Sequence, residues 1–234
     1  GRLLKNTFLI SGLTILFGFP APIILALMIN EVKNSAFKRT VQTITYMPYF
    51  ISMVVLCGLL KTFCMQDGLF AQIAVLFGGK AQNYLANPAY FRTIYVLSDI
   101  WSGIGWNSII YLAALSSIDQ EQYEAARVDG ANRFEQMIHI TLPGLVPTIM
   151  VLFILRMGNI LNVGYEKILL LYNSATYSTA DVISTYTYRL SFGGSGNPMY
   201  SKSTAIGLFN TIINVFFLML TNMISKKATD AGLF

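Results

Sequence analysis

Thr7 to Ile29 runs for 23 residues without a charge. At 1.5 Å of rise per residue such a run makes a helix of roughly 34 Å, enough to cross a hydrocarbon core of about 30 Å. Four further stretches alternate with polar connections in the same way: Val41–Leu60, Thr93–Leu115, Leu145–Tyr165 and Ala205–Ser225. In lipid every backbone polar group must be satisfied within the protein, so runs of this length are helices. Composition agrees, since 54% of the 234 residues are hydrophobic and 12% are charged, where a soluble domain carries about 25% charge. The expected fold is all-α and polytopic, with five spanning helices. Pro20 and Pro22 in the first run and Pro48 in the second predict local kinks.

The connections carry their own signals. Lys61 to Arg92 has turn signals at Asp67-Gly68 and Gly78-Gly79, and encloses an apolar piece, Leu69–Phe77, too short to cross and expected to lie at the outer surface. Lys167 to Ser203 is long and rich in Tyr, Ser and Thr, with a loop signal at Gly193–Pro198. The chain begins with Gly, which reads as a start inside a longer protein.

Several function classes are excluded at this level. A net charge of +5 without a basic run or basic–aromatic interleaving does not suit nucleic acid. His139 is the only histidine, and Cys57 and Cys64 share one apolar run, so no metal site and no catalytic cluster is expected. No phosphate-binding glycine loop occurs, because Gly79-Lys80 is followed by alanine without the upstream frame. If ATP drives this protein, another chain binds it. Polar residues inside spans are the exceptions that point to function. Asp99 interrupts the third run, and Arg156, Asn159, Asn162 and Glu166 recur at three or four residues along the fourth, which predicts a polar helix face.

The most informative stretch is polar. Ser117 to Pro147 carries Asp119, Glu121, Glu124, Asp129 and Glu135 between two apolar runs. Asp119 with Gln122, and Asn132 with Glu135, each match a capping box and predict two helix starts. Asp129-Gly130 ends the first helix, and Leu142-Pro143 is expected to end the second. Tyr123 with Ala126, and Phe134 with Met137 and Ile138, give each helix an apolar stripe.

The pattern Glu124-Ala125-Ala126, Asp129-Gly130-Ala131, Phe134 and Leu142-Pro143 resembles the cytoplasmic coupling loop of ABC importer permeases, the EAA loop. LKNTFLISGLTILFGFPAPIILALMINEV, GWNSIIYLAALSSID, RMGNILNVGYE and ADVISTYTYRL resemble the carbohydrate permeases of that family that import oligosaccharides or uronic-acid-containing sugars. The resemblance implies a type I ABC importer transmembrane domain spanning residues 1–234, with a sixth helix preceding the chain and a coupling loop at 117–143. Glu124, Ala125, Ala126, Asp129, Gly130, Ala131 and Phe134 would then enter a groove of an ATPase subunit. Asn159, Asn162, Tyr165 and Glu166, with Asp99 and Arg156 as weaker candidates, would line the sugar path.

The implied partners are a second homologous permease, two ATP-binding subunits that carry ATP and Mg, an extracellular solute-binding lipoprotein that docks on Lys167–Ser203, an oligosaccharide and membrane lipid. No cofactor is implied in this chain, and the implied location is the bacterial cell membrane, multi-pass. The raw Lys/Arg count does not choose an orientation, although Glu31–Thr40 packs three basic residues into ten; the coupling loop would put that side inside. An ion-coupled secondary transporter of a small polar solute is the alternative. It needs inverted repeats and a titratable relay, which Asp99 and Arg156 alone supply poorly.

Overall fold

The structure, a computed structural model, describes residues 1–193, 198–229 and 232–233. Of the expected loop at Gly193–Pro198, residues 194–197 lie outside those described. Among the described residues all regular structure is helical: α1 (Arg2–Leu13), a π-helical segment Thr14–Gly18, α2 (Pro20–Glu31), α3 (Ser35–Tyr46), a 3-10 turn Met47–Phe50, α4 (Met53–Cys64), α5 (Leu69–Leu76), a 3-10 turn Tyr84–Ala86, α6 (Pro88–Ser116), α7 (Gln120–Val128), α8 (Arg133–Gln136), a second π segment Met137–Thr141, α9 (Leu142–Met157), α10 (Tyr165–Leu171), α11 (Tyr177–Ala180), α12 (Ile183–Phe192) and α13 (Tyr200–Thr229).

Four segments are long and apolar enough to cross a membrane: Arg2–Glu31, Met53–Leu76, Arg133–Met157 and Tyr200–Lys227. α6, with 29 residues, has the length of a fifth; Asp99 and its Ser, Gly and Asn residues make it less apolar. Leu16, Met28, Ile212 and Met219 are 64%, 64%, 69% and 65% exposed in this chain alone. Apolar surface on that scale is lipid-facing or partner-facing rather than wet.

The first expected span is continuous, and its distortion is a π segment that directly precedes Pro20. The second expected span is not one helix. Pro48 sits in the 3-10 turn, Ile51 is extended, and Ser52 caps a new helix by accepting from Val55 N–H. Trp106 of α6 holds this break in place, stacking on Tyr49 at 4.7 Å and meeting Phe50 edge-on. At Gly105 beside it the backbone of Thr45 packs against α6 so closely that a Cβ would clash with the Thr45 carbonyl oxygen. The fourth span also stops short. α9 ends at Met157, so Asn159 and Asn162 stand on a non-helical turn and Glu166 on α10, rather than on one polar helix face. The turn is satisfied from other elements: Asn214 Oδ1 of α13 accepts from Leu161 N–H at 3.1 Å, and Ser11 of α1 donates to Ile160 O.

The core that positions the site joins α1, α4, α6, α10 and α11 through residues such as Ile10, Leu56, Phe91, Ile168 and Ala180. A second cluster, Ala26, Tyr111, Leu115 and Leu145, binds α2, α6 and α9 at the other end. Lys167–Ser203, expected as a loop, is largely helical and tied to the start of α1. Asn6 Nδ2 donates to Asp181 O at 2.9 Å, and Arg189 pairs with buried Asp181 at 2.8 Å. Glu31, at the far end of the same continuous helix about 38 Å from Asn6, pairs with Arg133 at 3.1 Å. The connection around Asp181 and the stretch around Arg133 thus occupy opposite ends of the molecule.

Candidate functional site

Two regions gather the residues singled out by sequence. The first is the hairpin α7–α8. Asp119 Oδ1 accepts from Glu121 N–H at 3.0 Å and starts α7 as a one-sided cap, without the reciprocal bond expected from Gln122. The Asn132–Glu135 capping box forms in full: Asn132 Oδ1 accepts from Glu135 N–H at 3.0 Å, and Glu135 Oε2 accepts from Asn132 N–H at 2.7 Å. Between them Gly130 has φ +82°. Its N–H donates to Arg127 O at 3.1 Å and that of Ala131 to Ala126 O at 2.9 Å. This pair of bonds is a Schellman termination, which needs a left-handed residue at that position.

The expected stop at Leu142-Pro143 does not occur, and the helix begun at Arg133 runs on to Met157. A π segment immediately before the proline, with Leu142 N–H donating to Met137 O, shifts the register by one residue. That shift accommodates a ring that an ideal helix would exclude. α8 is therefore one end of a helix long enough to span a membrane and is continuous with α9. Tyr123 Oη meets Thr141 Oγ1 at 3.0 Å, Gln136 Nε2 donates to Ala131 O at 2.8 Å, and Arg133 pairs with Glu31 of α2. The hairpin is thus braced to α2 and α9. Of its sequence-predicted residues, Glu124, Ala125, Asp129, Gly130 and Phe134 are exposed, while Ala126 and Ala131 are half-buried. Val128 and Phe134 present bare apolar surface, 88% and 65% exposed, and Tyr123 turns inward instead.

The second region lies between α1, α6 and α9. A cavity of about 410 Å³ is lined by Gly18, Pro22, Gly103 and Asn107 among others, and a cavity of about 240 Å³ by Ser11, Tyr95, Asn159 and Asn162; both share Thr14, Asp99 and Arg156. Four of the six expected path residues therefore come together. Asn162 Nδ2 donates to Asn159 Oδ1 at 3.0 Å, so the two amides present one ordered edge. Tyr165 and Glu166 line neither cavity; Tyr165 stacks on Tyr188 of α12 at 5.7 Å.

The residue that sequence reading missed is Lys167. It sits at a span boundary and reads as an ordinary loop cation, yet its side chain is 2% exposed. Its Nζ donates to Tyr95 O at 3.1 Å, lies 3.3 Å from Asp99 Oδ1 and 4.6 Å from the Tyr95 ring centre. Among the described residues, no group of three or more His, Cys, Asp or Glu could hold a metal ion.

A hairpin exposed at one end of a helix bundle and welded to a spanning helix, with a polar cavity at mid-height, is a transporter's arrangement. The family model described as "Binding-protein-dependent transport system inner membrane component" matches residues 18–230. The chain belongs to that family. Its relatives include Protein LplB of Bacillus subtilis, 43% identical over all of this chain and 73% of that protein. The polygalacturonan/rhamnogalacturonan transport system permease protein YteP of the same organism is 41% identical over 99% of this chain and 72% of the relative. Among solved structures, a chain of a bacterial ABC transporter involved in import of the acidic polysaccharide alginate superposes with a TM-score of 0.92 at 47% identity, covering 97% of this chain and 79% of that one. A bacterial alginate ABC transporter in complex with an alginate pentasaccharide-bound periplasmic protein gives a TM-score of 0.94 at 47% identity, over 99% and 80% of the two chains. A chain of the MetNI methionine ABC transporter, at 15% identity and a TM-score of 0.64 over 97% and 92%, shares the fold alone. As an ABC permease subunit, this chain is a non-catalytic membrane component of a transporter.

Proposed function

We propose that this permease forms the translocation path of an ATP-driven importer for an oligosaccharide containing uronic acid, in the bacterial cell membrane. The observation that carries the reading is the near-superposition on the alginate importer at 47% identity, over a chain whose own mid-height cavity is polar. YteP, named for polygalacturonan and rhamnogalacturonan, supports an acidic substrate class. Asn159, Asn162, Asp99 and Arg156 supply the hydrogen-bonding and charged groups of that path, and Tyr165 and Glu166 belong to its outer rim.

The hairpin at Glu124–Phe134 is the coupling element. Glu124 pairs with a basic residue of an ATPase subunit, and Val128 and Phe134 enter its groove with the Ala125–Ala126 face. ATP and Mg are held by two such subunits, and closure of their dimer moves the hairpin as a rigid piece. Because the helix is continuous from Arg133 to Met157, the movement reaches Arg156 and the turn carrying Asn159. A homologous second permease completes the path. A solute-binding protein docks on the exposed aromatics of the outer segment, among them Tyr177, Tyr186, Tyr188 and Phe192.

Affinity purification through this chain from its own membranes tests the reading. The complex is expected to contain an ATP-binding subunit and a second permease; a chain that purifies alone would contradict it.

A further inference from the structure

The charged side chains shared by the two cavities do not balance. Asp99 and Arg156 line both cavities, yet the carboxylate of Asp99 is engaged by Lys167. Lys167 is fixed there by the Tyr95 carbonyl and ring, and its own side chain is buried. Among the described residues no carboxylate lies within ion-pair distance of Arg156, and the ion pairs of the chain are made elsewhere. Arg156 stands in the last turn of α9 with Asn159 and Asn162 beyond it. A cation at membrane depth is costly unless water or an anion meets it, and a guanidinium presents a planar fork that fits a carboxylate with two parallel hydrogen bonds.

We infer that Arg156 is the carboxylate-binding residue of the translocation path, and that Lys167 is a positioning residue that keeps Asp99 from neutralising it. Resting on the oligosaccharide reading above, this assigns the preference for acidic over neutral sugars to one side chain. It also gives the buried Lys167 a purpose beyond packing. Without Lys167, Asp99 faces Arg156 across the shared cavity and competes with the substrate's carboxylate.

The test uses the intact complex in proteoliposomes, with saturating binding protein loaded with an alginate pentasaccharide or with its carboxyl-reduced, neutral counterpart. Saturation removes the binding protein's own affinity from the comparison. The wild type should transport the acidic probe faster. Arg156→Gln should cut the acidic-to-neutral rate ratio about tenfold or more, the scale of a lost hydrogen bond to a charged group, while Arg156→Lys keeps part of it. Lys167→Met should lose the ratio as well, and the double variant Asp99→Asn/Lys167→Met should regain it, which a merely structural role for Lys167 would not produce. If Arg156→Gln slows both probes alike, or the double variant fails to regain the ratio while still transporting, the inference is overturned and the oligosaccharide reading stands. If neither probe is transported by the wild type, both fall.

Discussion

Replacing Gly130 separates backbone conformation from surface contact at the hairpin proposed to couple the permease to its ATPase. A Cβ built on Gly130 meets no atom within 4 Å, and φ is +82°, so within this chain the penalty of a side chain is conformational alone. An alanine in the left-handed region costs about 1–2 kcal/mol, a β-branched residue more, and asparagine little. About 1.4 kcal/mol is tenfold in an equilibrium, so Gly130→Ala shifts the hairpin toward open forms by roughly tenfold and Gly130→Val by more. Opening releases the bonds from Gly130 to Arg127 and from Ala131 to Ala126, and with them the angle between α7 and α8. The assay is sugar transported per ATP hydrolysed in proteoliposomes, with membrane insertion followed alongside. The expected order of coupling is Gly, Asn, Ala, Val, with insertion equal in all four. Val performing as well as Gly would refute the reasoning. Asn proving as harmful as Val would show that the partner surface, rather than the turn, demands the absence of a side chain.

Glu124 is exposed and has no bonded partner among the described residues. Glu124→Ala should therefore leave the permease's own stability within about 0.5 kcal/mol while lowering the yield of ATPase on co-purification; an unchanged yield would argue against the pairing. The Arg133–Glu31 pair is solvent-accessible, with 63% and 43% exposed side chains, and is worth roughly 0.2–1 kcal/mol. Glu31→Arg should weaken coupling in a salt-dependent way, and Glu31→Arg with Arg133→Glu should restore it; no rescue by the double variant would mean that the pair does not link α2 to the hairpin. Gly105→Ala places a methyl against the Thr45 carbonyl and the Tyr46 ring. The backbones of α3 and α6 would have to separate, at a cost of about 1–3 kcal/mol for overpacking, visible as a lower melting temperature of the purified permease.

What was legible in the sequence follows from the range of the forces involved. The Asn132–Glu135 capping box and the left-handed Gly130 are set by neighbours within a few residues, and both are where the pattern places them. Errors cluster where partners distant in sequence decide. Val41–Leu60 reads as one apolar run because apolarity does not record direction; the Ser52 cap and the stack of Trp106 on Tyr49 break it. Arg156, Asn159 and Asn162 fit a helical period, but Gly158 ends the helix and Asn214, more than fifty residues later, satisfies the turn. Leu142-Pro143 signals an end that a π segment cancels. Thr14–Gly18 before Pro20 shows the same device, so at Pro20 and Pro143 the proline marks a register shift, whereas Pro48 sits in the turn that breaks its run. Lys167 had no local signal at all. Only its contacts with Tyr95 and Asp99, some seventy residues earlier in the chain, bury it.

A permease that joins an oligosaccharide path to an ATPase through the Gln120–Gln136 hairpin must pass the arrival of substrate on to ATP hydrolysis. The most direct measurement is ATP hydrolysis by the purified complex in nanodiscs, with binding protein that is empty or loaded with an alginate or galacturonate pentasaccharide. Hydrolysis should rise several-fold with the loaded protein and return to the basal rate with Gly130→Val. A rate indifferent to the loaded protein, or a Gly130→Val complex still fully stimulated, would contradict the account.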